Sequence, residues 1–98
     1  MLIKIHKSYR NVVAVCDSDL IGKKFEEGNV QLDLTGEFFK GEEVEGERAK
    51  QIIEEMARED ATFNIVGEQA IKLAKECGVV GEEGVKKIKG IPYALVLL

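Results

Sequence analysis

The sequence predicts an α+β fold, in which a small mixed or antiparallel sheet carries two consecutive helices packed on one face. Apolar, β-branched runs lie near both ends of the chain, and two segments with helical spacing lie between them. A chain that orders strands, then helices, then strands favours α+β over a doubly wound sheet. The 98 residues allow one domain around one core, spanning residues 1–98.

The first two strands are predicted to form a hairpin. Residues 2–6 place β-branched side chains at alternate positions, and residues 12–16 are a continuous apolar run. The polar residues 7–10 between them suit a hairpin loop. We therefore expect the second strand to be buried on both faces and the first to be half exposed.

A stretch rich in turn residues follows. Asp17 and Asp19 are placed to cap one short helical turn, which Gly22 ends. Residues 26–29 predict a turn. Residues 30–34 alternate apolar and polar side chains, which predicts a strand with one exposed face.

Two helices are predicted in the middle of the chain. Residues 47–59 carry a single apolar stripe. Its members are Ala49, Ile52, Ile53, Met56 and Ala57. The second helix is predicted from about Phe63 to Cys77, with Asp60 or Thr62 as its N-cap.

The end of the chain predicts a strand, a turn and a strand. Residues 85–88 form the first strand, residues 89–92 the turn and residues 93–98 the second strand. The final segment is almost wholly apolar. We expect it to be buried in this sheet or against a partner, which makes a homo-oligomer through the C-terminal strand one possible assembly.

Composition excludes several classes of protein. The net charge is −4, so the chain as a whole is a poor non-specific binder of nucleic acid. No apolar run reaches the roughly 20 residues that span a bilayer, and the first residues do not resemble an export signal, so we expect a cytoplasmic protein without membrane contact. Charged residues make up 33% and amides are few, which is typical of thermophiles.

No catalytic or metal centre is predicted. Cys16, Cys77 and His6 are too scattered for a zinc site, and their spacing leaves open whether the cysteines are paired. The Gly22-Lys23-Lys24 segment lacks the remaining glycine of a phosphate loop, and no serine or threonine lies in a nucleophile elbow. We expect no catalytic residue, no metal and no cofactor.

The segment Asn64-Ile65-Val66-Gly67-Glu68 is the candidate ligand site. On the predicted helix, Asn64, Gly67 and Glu68 share one face. A glycine inside a helix costs about 1 kcal/mol, which the close approach of another backbone or a ligand would offset. The alternative is that this face only packs against a strand, with Glu68 bonding a backbone amide. With the turn near the end of the chain, the predicted ligand-binding residues are Asn64, Gly67, Glu68, Gly90, Pro92 and Tyr93.

Lysines near both ends of the chain form a second candidate site. Residues 1–24 carry five lysines or arginines against two aspartates, a balance of +3. Nucleic-acid affinity comes from such clusters if they share one face. That face would need to include Lys4, Lys7 and Arg10. The predicted nucleic-acid contacts are Lys23, Lys24, Lys86, Lys87 and Lys89.

Three segments carry a resemblance to a known family: Asp19-Leu20-Ile21-Gly22-Lys23-Lys24-Phe25-Glu26-Glu27-Gly28, Asn64-Ile65-Val66-Gly67-Glu68 and Gly90-Ile91-Pro92. With them, the chain resembles the archaeal family known as domain of unknown function 424. The resemblance covers nearly the whole chain and implies an archaeal, cytoplasmic protein of unassigned activity. The closing family motif is Gly-Val-Pro-His-Ala-Gln, and here Tyr93 and Leu95 replace its histidine and glutamine. Tyrosine would hydrogen-bond rather than shuttle protons at neutral pH, which counts against catalysis.

Three functions therefore stand as hypotheses. The first is a non-enzymatic binding module, associated with RNA or the translation machinery through the lysines. The second is a small-ligand site or enzyme, which requires a pocket that joins the Asn64–Glu68 segment to the Gly90–Tyr93 turn. The third is a structural homo-oligomer.

Overall fold

The computed structural model describes residues 1–97 and contains two helices and eight strands in that range. The strands are β1 (Leu2–His6), β2 (Val12–Cys16), β3 (Lys24–Glu27), β4 (Val30–Asp33), β5 (Glu42–Glu43), β6 (Thr62–Val66), β7 (Lys86–Ile88) and β8 (Ile91–Leu97). The helices are α1 (Gly46–Arg58) and α2 (Glu68–Glu76). Neither is long and apolar enough to cross a membrane.

Six strands form one mixed sheet in the order β5-β1-β2-β6-β8-β7, and β3 and β4 form a separate hairpin. Only β2 and β6 run parallel; the other neighbours in the large sheet are antiparallel. Both helices pack on one face, here called the front face. The predicted α+β class, with a mixed sheet and its helices on one face, is confirmed.

The front face holds the larger core. Alternate side chains of the central strands point toward the helices, as the two-residue period of a strand requires. Val13, Phe63 and Ile53 of α1 are at most 1% exposed. The predicted first hairpin is confirmed, with β2 buried on both faces, and α1 differs from its predicted bounds by one residue at each end.

The prediction of a helix beginning at Phe63 is wrong for its first residues. Thr62–Val66 forms strand β6, and α2 begins only at Glu68. Because β6 is central, Phe63 and Ile65 are buried on the front and Val66 on the other face. Such a run shows no two-residue alternation and is indistinguishable from a buried helix by its pattern. The two helices are therefore separated by a strand.

The predicted turn over residues 89–92 is too long. Lys89 and Gly90, with φ of 51° and 77°, form a two-residue turn that requires positive φ at both positions, and β8 begins at Ile91. Pro92 is tolerated inside a central strand because its position opposite Gly67 needs no N–H. The Gly67 carbonyl there accepts from Ile71 of α2 instead.

The opposite side of the sheet, the back face, is only partly covered. The β3–β4 hairpin and the following loop pack on it through Leu34 and Phe39, against Cys16 and Val66. Strand β3 had not been predicted. Burial of the apolar C-terminal segment within this sheet is met for Ala94 but not for Leu95 and Leu97, which are exposed on this face. Burial against a partner stays a prediction, and residue 98 lies outside the described part of the chain.

Candidate functional site

The carboxyl ends of β2 and β6 lie side by side because these strands are parallel neighbours in register. After β2 the chain turns to the back face, where Leu20 and Ile21 pack, whereas after β6 it enters α2 on the front face. When two chain segments run from adjacent strand ends to opposite faces of a sheet, a crevice forms between them. In open α/β sheets, ligands bind at such switch points.

A pocket of about 290 Å³ occupies this crevice. We call it the switch-point pocket. Its lining residues are Asp17, Asp19, Leu20, Glu68, Gln69, Gly90, Ile91 and Pro92. It joins the two segments that the ligand hypothesis requires to meet, and among the predicted ligand-binding residues it contains Glu68, Gly90 and Pro92.

The other three predicted ligand residues lie outside the lining. Asn64 is on β6 with its side chain on the back face, because it shares the parity of Val66. Tyr93 pairs with Val66 and packs in the back-face core. Gly67 forms the link between β6 and α2, so the predicted helix face shared by Asn64, Gly67 and Glu68 does not exist.

Asp17 is the buried acid of the site, with 8% of the residue exposed. Its backbone N–H donates to the Val66 carbonyl at 3.0 Å, which extends the β2–β6 pairing by one residue. Its carboxylate accepts two backbone hydrogen bonds at the start of α2: Oδ2 from Gln69 at 3.0 Å and Oδ1 from Ala70 at 2.8 Å. Asp17 therefore caps α2, although it lies on another element.

This cap corrects two predictions. Asp17 precedes the 3₁₀ turn Ser18–Leu20 but makes no side-chain capping bond to it. Neither Asp60 nor Thr62 caps α2, whose N-cap position is Gly67. The side chain that satisfies the helix comes from a distant strand end, so local spacing carries no sign of it. An acid directly after a buried strand was the available signal.

Gly67 is pressed against this carboxylate. Its φ of 110° is unfavourable for residues with a side chain, and a Cβ added there would lie 2.3 Å from Asp17 Cγ. The predicted close approach at Gly67 is therefore made by the Asp17 side chain rather than by a ligand or another backbone. Glycine at this position lets the acid reach the helix.

The electrostatics of the pocket follow from this arrangement. A helix N-terminus ordinarily attracts anions, but here Asp17 already occupies that position. Asp19 and Glu68 add two further carboxylates, and no lysine, arginine or histidine is among the lining residues. The pocket therefore favours a positively charged or hydrogen-bond-donating group over a phosphate.

The β7–β8 turn also lines the switch-point pocket, and the β3–β4 hairpin holds this turn in place. The backbone N–H of Lys89 donates to Glu27 Oε1 at 2.9 Å, 62 residues away in sequence. The buried Ile88 side chain leads into this turn. The hairpin thus fixes the position of Gly90 at the rim of the pocket.

The structure does not bring the predicted basic residues onto one face. Lys86 and Lys87 are successive residues of β7 and point to opposite faces. Lys7 and Arg10 lie in the β1–β2 loop, at the end of the sheet opposite the β7–β8 turn and Lys89. Lys24 makes an exposed ion pair with Glu26 at 3.5 Å, and Lys23 directly precedes it on the hairpin. Nucleic-acid contact through these residues stays a prediction.

Both cysteines are free thiols. Cys16 packs in the back-face core and Cys77 against the front-face core, so the sheet lies between them. Burial, reinforced by the negative charge of Asp17, raises the pKa of Cys16 to about 12, which makes it a poor nucleophile. Within residues 1–97, no group of three histidine, cysteine or acidic side chains is placed to hold a metal ion.

The three segments that carry the family resemblance converge on the switch-point pocket. Asp19 and Leu20 come from the first segment, Glu68 from the second, and Gly90, Ile91 and Pro92 constitute the third. The lining residues Leu20 and Glu68 lie 48 positions apart along the chain. Fold stability alone does not require all three segments to border one cavity.

Comparisons with known proteins agree with this resemblance. Residues 6–98 match the family described as protein of unknown function (DUF424). A crystal structure of an uncharacterized conserved protein from Methanopyrus kandleri is 27% identical, with a TM-score of 0.84 over 98% of this chain and 90% of that one. No curated protein matches significantly. This chain belongs to the DUF424 family, whose function is unknown.

Proposed function

We propose that this protein is a binding module for a small ligand that carries an amine, a guanidinium or a similar hydrogen-bond donor, held in the switch-point pocket. The observation that supports this most directly is the convergence of the three family-resemblance segments on that one cavity. Ligand sites typically lie where a few polar groups meet in a concave site.

The size of the pocket limits the ligand. About 290 Å³ lies at the lower end of the range for ligand sites, roughly 300–1,000 Å³. The pocket therefore suits a small molecule, or one charged group of a larger one. Its lining includes the exposed Asp19 and Glu68 and the buried Asp17, whose carboxylate accepts hydrogen bonds from α2.

The polarity of the lining selects a donor. Both carboxylate oxygens of Asp17 accept hydrogen bonds from α2. Asp19 and Glu68 are therefore the carboxylates that can bind a ligand. Both side chains are exposed, so each charged contact contributes only about 0.5–1 kcal/mol. A phosphate would face three carboxylates and gain no cationic partner from the lining. RNA or the translation machinery, the partners expected from the lysines, are therefore less well supported than a cationic ligand.

A cytoplasmic location belongs to the same proposal. Two free thiols in one small domain fit a reducing compartment, where disulfides are rare.

Titration of ¹⁵N-labelled protein with spermidine and agmatine tests the proposal, with inorganic phosphate as the anionic probe. We expect the cationic probes to shift the backbone amides of Asp19, Gln69 and Gly90 together. The double variant Asp19→Asn with Glu68→Gln should weaken this binding about tenfold, a loss of about 1.4 kcal/mol.

The matched control is Glu55→Gln, which removes an exposed carboxylate on α1, outside the lining. It should leave binding unchanged. The proposal fails if phosphate shifts these amides and the cations do not, or if the double variant binds as tightly as the parent protein.

A further inference from the structure

The last part of β8 has a strand neighbour on one side only. β6 pairs with β8 from Tyr93 to Leu97, whereas β7 pairs with it only from Ile91 to Tyr93. Before β7 the chain forms the 3₁₀ turn Glu82–Gly84, which lies near β8 but makes no strand pairing with it. In the part of the chain that the structure describes, residues 94–97 therefore have no paired strand on this side.

The register determines which backbone groups face this edge. The Gly67 N–H donates to the Pro92 carbonyl at 2.9 Å, so Pro92 directs its carbonyl toward β6. Because this direction alternates along an antiparallel strand, Ala94 and Val96 also face β6. Leu95 and Leu97 then direct their N–H and C=O groups to the open side. Two donors and two acceptors are thus aligned for another strand.

The side chains make this edge different from the others of the sheet. Leu95 is 61% exposed and Leu97 72%, and no charged residue occurs from Ile91 to Leu97. The opposite edge of the sheet is the short strand β5, which consists of two glutamates, and the short β7 carries two lysines. Short charged strands prevent edge-to-edge association, and residues 94–97 lack that protection.

We propose that this edge pairs with the same edge of a second copy of the chain, which joins two six-stranded sheets into one. A two-fold antiparallel pairing centred on Val96 places Leu95 opposite the partner's Leu97 and Leu97 opposite the partner's Leu95. Both are hydrogen-bonded positions, so four backbone hydrogen bonds form. The four leucines then meet on one face of the joined sheet.

A second copy suits this edge because the edge is complementary to itself. Its donors and acceptors alternate with the spacing that the two-fold pairing needs, and its uncharged side chains create no repulsion across the axis. The two-fold axis satisfies the open groups of both chains at once. A register shifted by two residues would place Leu95 opposite the partner's Leu95 and Leu97 opposite the partner's Tyr93. This register is excluded, because Tyr93 is already paired with Lys86 of β7.

Sedimentation velocity of the full chain over a range of concentrations tests the proposal. We expect a concentration-dependent dimer in the parent protein. The variant Leu95→Lys with Leu97→Lys should raise the dissociation constant at least tenfold, since lysines would face each other across the axis. The variant Leu95→Lys with Leu97→Glu should restore the dimer, because each lysine then faces a glutamate of the partner.

The charged variants should keep the fold, because both leucines are exposed and their neighbours on β6, Asn64 and Thr62, are uncharged. Circular dichroism checks this. Val30→Lys, at another exposed apolar position, is the matched control and should dimerise like the parent. A monomeric parent at all concentrations, a dimeric double-lysine variant, or a monomeric lysine–glutamate variant would each overturn the proposal. A monomeric parent would point to a strand of another protein as the occupant.

Discussion

At the scale of single residues, Asp17 connects two elements that the chain separates by more than 50 residues. Its carboxylate satisfies two of the four N–H groups that every helix leaves unpaired at its start. Only 8% of Asp17 is exposed, although it borders the switch-point pocket. Its role is therefore structural, and the remaining acids of the pocket are the ones exposed to a ligand.

Replacing Asp17 should destabilise the protein markedly. We expect Asp17→Ala to lower the free energy of unfolding by about 2–3 kcal/mol, because two N–H groups of α2 lose a charged acceptor in a buried place. Asp17→Asn keeps one acceptor oxygen and should lie in between. Urea denaturation measures both. A loss below about 0.5 kcal/mol for Asp17→Ala would show that the cap does not stabilise α2.

Gly67→Ala should be costly for two separable reasons. At φ of 110° and ψ of 156° the backbone lies in a region that essentially only glycine adopts, which costs about 1–3 kcal/mol for a residue with a Cβ. The clash with Asp17 Cγ adds overpacking of about 1–3 kcal/mol. Gly28→Ala is the control for a milder position, since its φ is 61° and nothing lies within 4 Å of its added Cβ. Urea denaturation should show the larger loss for Gly67, and equal losses would contradict the packing argument.

At the scale of elements, the short strand β5 is held by a charge at its end. The Glu43 carboxylate accepts hydrogen bonds from the Met1 amino group and from Ser18. It therefore fastens the edge of the sheet to the turn that follows β2. These two hydrogen bonds hold the pKa of Glu43 below its ordinary value, and the bond from the amino group lowers the pKa more than the bond from Ser18.

The stabilisation from Glu43 should depend on pH. A lowered pKa in the folded state favours folding above the ordinary value of about 4.5, and this contribution is lost as the pH falls through the lower folded value. Glu43→Gln should therefore make stability fall less steeply on acidification below about pH 4.5. Urea denaturation at several pH values measures this slope. Glu42→Gln, on the same strand, is the control, and an unchanged slope for Glu43→Gln would contradict the assignment.

The elements that could be predicted from the sequence are those whose pattern is local. The first hairpin and α1 follow from side-chain periods of two and 3.6 residues within one segment. Strand β6 could not be distinguished from a helix, because both of its faces are buried. Phe63, Ile65 and Val66 are all apolar, so the segment lacks the two-residue alternation of a strand. For the site, Glu68, Gly90 and Pro92 could be found from sequence. The position of Asp17 directly after a buried strand was a signal, but its capping of α2 could not be predicted, because its partners lie on a distant helix.

At the scale of the whole molecule, the sheet separates two cores of unequal size. The front core is closed by both helices. The back core depends on the β3–β4 hairpin and its loop, with Leu34 only 1% exposed at its centre. The hairpin contacts the rest of the molecule through that core, through β7 and through the Glu27 bond to Lys89. We expect it to open more readily than the front of the molecule.

Leu34→Ala tests this division. Truncating a buried leucine costs about 2–5 kcal/mol, and here most of that loss should fall on the hairpin. Native-state hydrogen exchange should show faster local opening at Phe25 and Leu32, while Val13 and Ile65 retain exchange by global unfolding. Leu32→Ala, at a partly exposed position of the same hairpin, should have a smaller effect. Equal acceleration on both faces of the sheet would contradict independent opening of the hairpin.

The cap that Asp17 places on α2 also sets an order of events during folding. A nine-residue helix is too short to persist alone in water, so we expect α2 to become stable only when the Asp17 carboxylate is in place at its start. The acceptor arrives only when β2 and β6 are aligned, which closes a loop of about 50 residues. During synthesis, β2 must therefore remain unpaired on that side until β6 has been made. We therefore expect the switch-point pocket to form late in folding, because its lining comes from both strand ends and from the β7–β8 turn.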